Sequence, residues 1–324
     1  MITGPTCGRI IILMETGTTD WLLTGDPSIR WQVMRDLLNE TLVAYERERV
    51  KVAENGWGQA ILARQNADGH WGGGVYNPKW TSTTYSLLML RHLGLPADNP
   101  QAQLGCEKFF FRGLEKDGGI NFFKSMSTSE TCINGMLLAL LSYFRYPDQR
   151  IHSIAKFLLH EQMTDGGWNC QSIHGATHSS FHTTISVLEG FAEYLQAYPE
   201  AGTTIKAATD AAHEFLFRHQ IYKSHRTGKP AYPAITLMHF PPRWRYDFIR
   251  ALDYFQSIQT PPNLSMKTAI DLLYSKQSED GRWIQNKPWN GQIFFQMEDT
   301  GLPSRWNTLR ALRIIKWWNT NNPQ

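Results

Sequence analysis

Cysteine is scarce in this chain. Four residues in 324, Cys7, Cys106, Cys132 and Cys170, stand far apart and without paired spacing. That density cannot staple a domain of this length, so the fold has to rest on its core, and a reducing, cytoplasmic setting is expected. Long apolar runs are lacking too. The leader-like stretch MITGPTCGRIIILM holds only the run IIIL, too short for a secretory segment and for crossing a bilayer. Residues 1–19 therefore read as a leader or disordered tail, with Met14 as an alternative start, and residues 20–320 as one domain. Charge of one sign does not accumulate: the net charge is +3, which makes no case for nucleic acid. Nor does a linker rich in Gly, Ser or Pro divide the chain; patches such as YPAITLMHFPPRW and QTPPNL fall between helical patterns, as loops do.

Aromatic residues, by contrast, are plentiful at 12% of the chain, with 12 Trp. Three of those Trp mark an internal repeat. RQNADGHWGG from Arg64, HEQMTDGGWNC from His160 and SKQSEDGRWIQ from Ser275 each carry Gln, Asp-Gly three residues on, and Trp two residues after the Gly. LEKDGGINF from Leu114 keeps the Asp-Gly but has Leu114 for Gln and Ile120 for Trp, and RHQIYKSHRTG keeps only Gln220. The markers Gln65, Leu114, Gln162, Gln220 and Gln277 lie 49, 48, 58 and 57 residues apart, a period that suits one helix hairpin per repeat. A helical pattern precedes each marker and a more apolar one follows. In the second repeat Ile133, Met136, Leu137, Leu140, Leu141 and Phe144 form one helical stripe. Asp-Gly supplies the turn, and the Trp is expected to lie over the end of the preceding helix and staple hairpin to hairpin.

RWQVMRDL from Arg30 and RWNTLRAL from Arg305 match each other, and a third Arg-Trp opens RWRYDFIRALDYF at Arg243. Inner helices beginning near 28, 80, 130, 180, 245 and 305 number six. Neither end of the chain reads as a polar cap, so a closed ring is expected rather than an open stack. The predicted fold class is all-α, an (α/α)6 toroid of helix hairpins.

On QNADGHWGG, QMTDGGWNC and QSEDGRW the chain resembles the α/α toroid superfamily of squalene and oxidosqualene cyclases and protein prenyltransferase β-subunits, over roughly residues 20 to 318. The resemblance implies an apolar central cavity for an isoprenoid, with chemistry at the N-terminal ends of inner helices. The Asp-x-Asp-Asp proton donor of the cyclases is absent, and the nearest acids are Glu298 and Asp299 in MEDTG and Asp247 in RWRYD. The β-subunits bind zinc through Asp-x-Cys at one helix head and His at the next. Here Glu130 and Cys132 in ETC, and His182 in FHTTISVLEGF, occupy those places. Lys124 stands where that family has an Arg that contacts diphosphate, Glu130 replaces Asp, and Ile133 replaces a diphosphate-contacting Tyr. The partner subunit of that family is not in this chain, which leaves a second subunit an open question.

Zinc takes Cys, His and carboxylate ligands, and a catalytic zinc keeps one position open. Glu130, Cys132 and His182 are the expected ligands, with Cys170 or His178 as a fourth. Each residue also has an ordinary explanation: Cys132 as packing, Glu130 as a first-turn carboxylate on the helix dipole, His182 as a hydrogen-bonded core residue. Lys124 and Arg243 would neutralise a diphosphate leaving group, whereas Arg30 and Arg305 read as scaffold residues beside their Trp. The function expected is an isoprenoid-handling, zinc-dependent enzyme. The alternatives are a terpene cyclase that uses Glu298 or Asp247 as its acid, and a non-catalytic lipid-binding or scaffold toroid. An apolar substrate leaves room for peripheral membrane contact, although no amphipathic basic helix supports it.

Overall fold

The Asp-Gly turns show how this sequence folds. In the computed structural model, which describes residues 16–321, Gly69, Gly118, Gly166 and Gly281 have φ between 77° and 100°, a region that disfavours every residue with a Cβ. The Asp ahead of each Gly accepts the backbone N–H two residues on in three of the four turns, from His70, Gly119 and Arg282. Asp117 and Asp165 reach further, to the N–H and hydroxyl of Ser129 and Ser179. Those two turns are thereby fastened to the segment that opens the next helix. Cys7, Met14 and nearly all of the expected leader lie outside the described residues; Thr16 to Asp20 already belong to the first helix.

The outer helices are α1 (Thr16–Leu23), α4 (Gly56–Leu62), α6 (Pro100–Glu107), α8 (Ile151–His160), α10 (Gly202–Arg218) and α12 (Lys267–Ser275). Each feeds an inner one: α2 (Pro27–Gln32, continued by a π-turn), α5 (Thr83–Leu93), α7 (Thr131–Tyr143), α9 (Phe181–Ala197), α11 (Phe248–Ser257) and α13 (Arg305–Asn321). A further helix, α3 (Leu42–Arg49), buries none of its residues. The fold is all-α, and none of the described helices is long and apolar enough to cross a membrane.

The repeat residues act identically in each copy. The indole N–H of Trp71, Trp168 and Trp283 donates to the carbonyl ten residues back, on Ile61, Leu158 and Leu273, at 2.6–2.8 Å. All three rings are fully buried. The indole gives the Leu158 carbonyl its partner at the end of α8 and adds a second bond to the Ile61 and Leu273 carbonyls, which also accept the Arg64 and Lys276 N–H groups. The backbone N–H of the same Trp donates to Thr83, Thr184 or Thr308 on the following inner helix, while in the divergent repeat Asn134 accepts from Ile120 instead. Trp71 also lies against Gly105 of α6, the neighbouring outer helix. Much of the hairpin-to-hairpin link is made by the Gln: Gln65 and Gln162 donate to their own turn and to a carbonyl of the next outer helix, Gln101 and Ala208.

Contacts pass from one inner helix to the next. Trp31 of α2 donates to Leu93 at the end of α5, α5 packs on α7, and α7 crosses α9 where Gly135 meets the Ser186 backbone. Glu189 of α9 holds Arg250 of α11, Asp253 of α11 holds Arg313 of α13, and Arg313 reaches Gln32 of α2. Arg305 meets Trp21 across the chain ends, at 3.2 Å to its carbonyl and 4.5 Å over its ring.

Candidate metal site and the pocket beside it

Glu130 is the N-cap residue of α7, extended at φ −84° and ψ 124°, and its side chain makes no capping bond. Cys132 follows in the first turn. Cys170 comes from the loop after Trp168, whose position is set by its N–H donating to Thr183 Oγ1 on α9 at 3.2 Å. The carboxylate and the two Sγ atoms lie within 4.8 Å of one another, a group that could hold a metal ion. Ligands on a tetrahedral zinc, at about 2.0–2.3 Å from the metal, stand roughly 3.3–3.8 Å apart, so closing the group takes a side-chain movement of about an ångström.

The electrostatics suit a cation. The Cys132 thiol donates to Cys170, which with burial pushes Cys132 well above the ordinary thiol range. The same bond, aided against burial by Thr183, Gln171 and a backbone N–H, pulls Cys170 down to about 6. One proton is thus shared by two sulfurs. Burial raises Glu130 as well, and the negative Cys170 adds to that, opposed by Lys79 and His174. A carboxylate without hydrogen-bond partners beside a thiol–thiolate pair is a surplus of negative charge and lone pairs, which a divalent ion would complete. Two sulfurs and one oxygen make a borderline-soft donor set that fits zinc, and three protein ligands leave a fourth position open.

His182, expected in this set, stands outside it. Its Nδ1 accepts the Tyr246 N–H at 2.8 Å, and its ring packs between Tyr232 and Trp244, 5.3 and 5.2 Å away. Burial and nearby arginines keep it neutral, at about 4. At the head of α9 it is turned toward α11 instead of α7. His178 is exposed on its loop. Lys124 is likewise exposed and does not line the pocket, so the place implied for a diphosphate contact is not on the pocket wall.

Arg243, by contrast, lies on that wall. A pocket of about 590 Å³, counting the space open to solvent, is lined by Trp80, Tyr85, Met89, Phe240, Arg243, Phe294 and Glu298, among others. Arg243, in the left-handed region at φ 60°, has its guanidinium 5.5 Å over Trp80. Among the described residues no carboxylate pairs with it. Burial, offset in part by Tyr85, pulls it down to about 10. A cation sunk in an apolar wall without a counter-charge is costly until an anion arrives. The Tyr85 hydroxyl beside it is buried, and among the described residues only Tyr76 influences it by hydrogen bonding, without good bond geometry. Tyr85 touches Tyr76 (5.4 Å) and Trp80 (4.8 Å), and Tyr76 feels the charges of Cys132, Glu130 and Cys170. The aromatic chain joins the pocket to the metal-ligand group.

The two acids considered as proton donors are both helix caps. Asp247 accepts the Arg250 and His239 N–H groups at 2.9 and 3.2 Å at the head of α11. Glu298 accepts from Arg305 N–H at 2.7 Å and from the Ser304 hydroxyl at the head of α13. Only Glu298 borders the pocket; burial raises its pKa, against those bonds. Tyr85, Tyr76 and Lys79 were not singled out by sequence reasoning. The position of Lys79 to Tyr85 immediately before and inside an inner-helix head, like that of Glu130, was the signal that could have found them.

No protein-family model matches the chain, and no curated protein matches it. Among solved structures, a protein from Actinoplanes is similar at a TM-score of 0.46 and 14% identity, over 90% of this chain and 90% of that one. A likeness of that degree carries no function across.

Proposed function

We propose that the protein is an isoprenoid-handling enzyme of the prenyltransferase and squalene-cyclase type, built as an (α/α)6 toroid, with zinc held by Glu130, Cys132 and Cys170. The observation that carries this reading is the convergence of those three side chains beside an apolar pocket whose wall holds the unpaired Arg243. Arg243 would take the diphosphate of a prenyl donor, with the Tyr85 hydroxyl as a second donor of a hydrogen bond. Trp80, Met89, Phe240 and Phe294 would hold the hydrocarbon and exclude water, which strengthens every charge interaction at the pocket mouth. Zinc bound there supplies a Lewis acid, or a coordinated thiolate nucleophile from an acceptor.

The test combines elemental analysis with turnover. The purified protein should carry about one zinc per chain, Cys132→Ser and Cys170→Ser should each lose it, and Arg243→Gln should keep the metal but fail to release diphosphate from geranyl or farnesyl diphosphate. A parent protein free of zinc after metal loading would sink the proposal.

Glu298 supports a second reading. A carboxyl pushed up by burial on the wall of an aromatic-rich pocket is placed to protonate an olefin, as in a terpene cyclase. On that reading Glu298→Gln abolishes turnover and chelators have no effect. Uptake of a polyprenyl chain with no product would leave a lipid-binding toroid.

A further inference from the structure

A second and larger cavity lies at the opposite end of the inner helices, and its chemistry is the reverse of the first. It encloses about 1510 Å³ including its open mouth. Phe240 lines both cavities and stacks at 4.0 Å on Trp306, so this pair lies between the apolar pocket above and the polar one below. Six arginines border the lower cavity: Arg35, Arg49, Arg91, Arg250, Arg310 and Arg313. The carboxylates on the same wall are four, Asp36, Glu189, Glu193 and Asp253.

The pairing is uneven. Glu189 is held by Arg250 through two bonds of 2.8 and 2.9 Å and stands 4.0 Å from Arg91, whose closer partner is Glu193 at 2.8 Å. Asp253 is held by Arg313 at 2.6 Å through each of its oxygens, while Arg310 reaches it only at 3.3 Å and spends another N–H on the His239 carbonyl. Arg49 has Glu46, behind the wall, as partner. Arg310 therefore keeps donors to spare, and so does Arg91 on its Glu189 side. His92, the residue after Arg91, lines the same cavity. Burial and the surrounding arginines hold it neutral, at about 3. Arg91, Arg250, Arg310 and Glu189 all act on this one ring.

We infer that this lower cavity is a binding site for a small dianionic oxyanion, of the phosphate or dicarboxylate class, seated between Arg91, His92 and Arg310. Arginines suit such a ligand because their fixed fork matches two oxygens of a carboxylate or phosphate. A neutral imidazole offers one N–H to an oxygen without adding the desolvation cost of another charge. With Arg49 paired to Glu46 the arginines exceed the carboxylates by one, which the ligand's first charge balances, and its second charge is met by the spare donors of Arg91 and Arg310. The inference does not depend on zinc or on prenyl chemistry, because the site lies beyond the Phe240 and Trp306 pair and uses other residues.

The test is calorimetric titration of the full chain at low ionic strength with inorganic phosphate, diphosphate and malonate, together with the thermal unfolding midpoint at each saturation. One of the three should bind with one-to-one stoichiometry and raise the midpoint. Preference for phosphate or diphosphate assigns the phosphate class, and preference for malonate the carboxylate class. Arg310→Gln leaves Asp253 with both bonds to Arg313 and should weaken binding roughly tenfold or more, the scale of a charge-assisted bond. His92→Phe should weaken it as well, and provides the reading if Arg310→Gln does not fold. Arg243→Gln should leave this binding unchanged. No heat and no shift of the midpoint up to about 10 mM of any probe overturns the inference, and so does binding that survives both Arg310→Gln and His92→Phe or disappears in Arg243→Gln.

Discussion

The crossing of α7 and α9 positions the metal-ligand group, and a single methyl group tests it. A Cβ at Gly135 would sit 2.8 Å from the carbonyl carbon and oxygen of Ser186 and from Val187 N, all backbone atoms of α9. A backbone cannot swing aside as a side chain does, so Gly135→Ala must push the helices apart by roughly half an ångström or more to restore ordinary contact distances. Overpacking of that kind costs about 1–3 kcal/mol, set against up to about 1 kcal/mol gained by replacing Gly with Ala in a helix. Gly202, in the first turn of α10 with nothing within 4 Å of its Cβ position, provides the control, because Gly202→Ala meets no clash. The measurement is urea unfolding of both variants at equal slope. Gly135→Ala should fall below Gly202→Ala by about 1–3 kcal/mol, and its affinity for Co²⁺, read from thiolate-to-metal absorbance, should drop because Glu130 and Cys132 ride on the displaced helix. The reasoning fails if Gly135→Ala is as stable as Gly202→Ala.

Other consequences follow from the same structure. In metal-free protein, alkylation of Cys170 should reach half its maximal rate near pH 6, well below the ordinary thiol value of about 8.5, and Cys132→Ser should move that midpoint upward unless the new hydroxyl replaces the thiol as donor. Burial raises Glu189, but Arg250 and Arg91 outweigh it and hold its carboxyl at about 2. Its folded value lies below the unfolded one of about 4.3, so its contribution to stability is whole above pH 4–5 and is lost as pH falls toward 2. Acid unfolding of Glu189→Gln should be flatter over that window. Trp168→Phe keeps the packing but strands the Leu158 carbonyl, and should cost about 1–3 kcal/mol of unfolding free energy; a neutral result would mean that water reaches that carbonyl.

The sequence by itself determined the repeats and what they do locally. Gln, Asp-Gly and Trp recur because each copy must close an outer helix end, turn through a left-handed glycine and hand the chain to an inner helix, and those needs are met within about 20 residues. The all-α class and the placing of Glu130 and Cys132 at one helix head follow from the same period. What the tertiary structure decided is which way side chains at those heads face. His182 sits at the position matching Cys132, yet Tyr246 N–H claims its Nδ1, and that bond spans 64 residues that no local pattern encodes. Cys170 joins the group because Thr183 anchors its loop inward. Asp247 and Glu298, read as candidate proton donors, cap the helices that begin beside them. The arginines of the lower cavity come from five different elements, the turn after α2, α3, α5, α11 and α13, and only the packing of those elements brings them to one wall. Spacing along a helix fixes which residues can share a face; only the packing of one helix on the next fixes what that face meets.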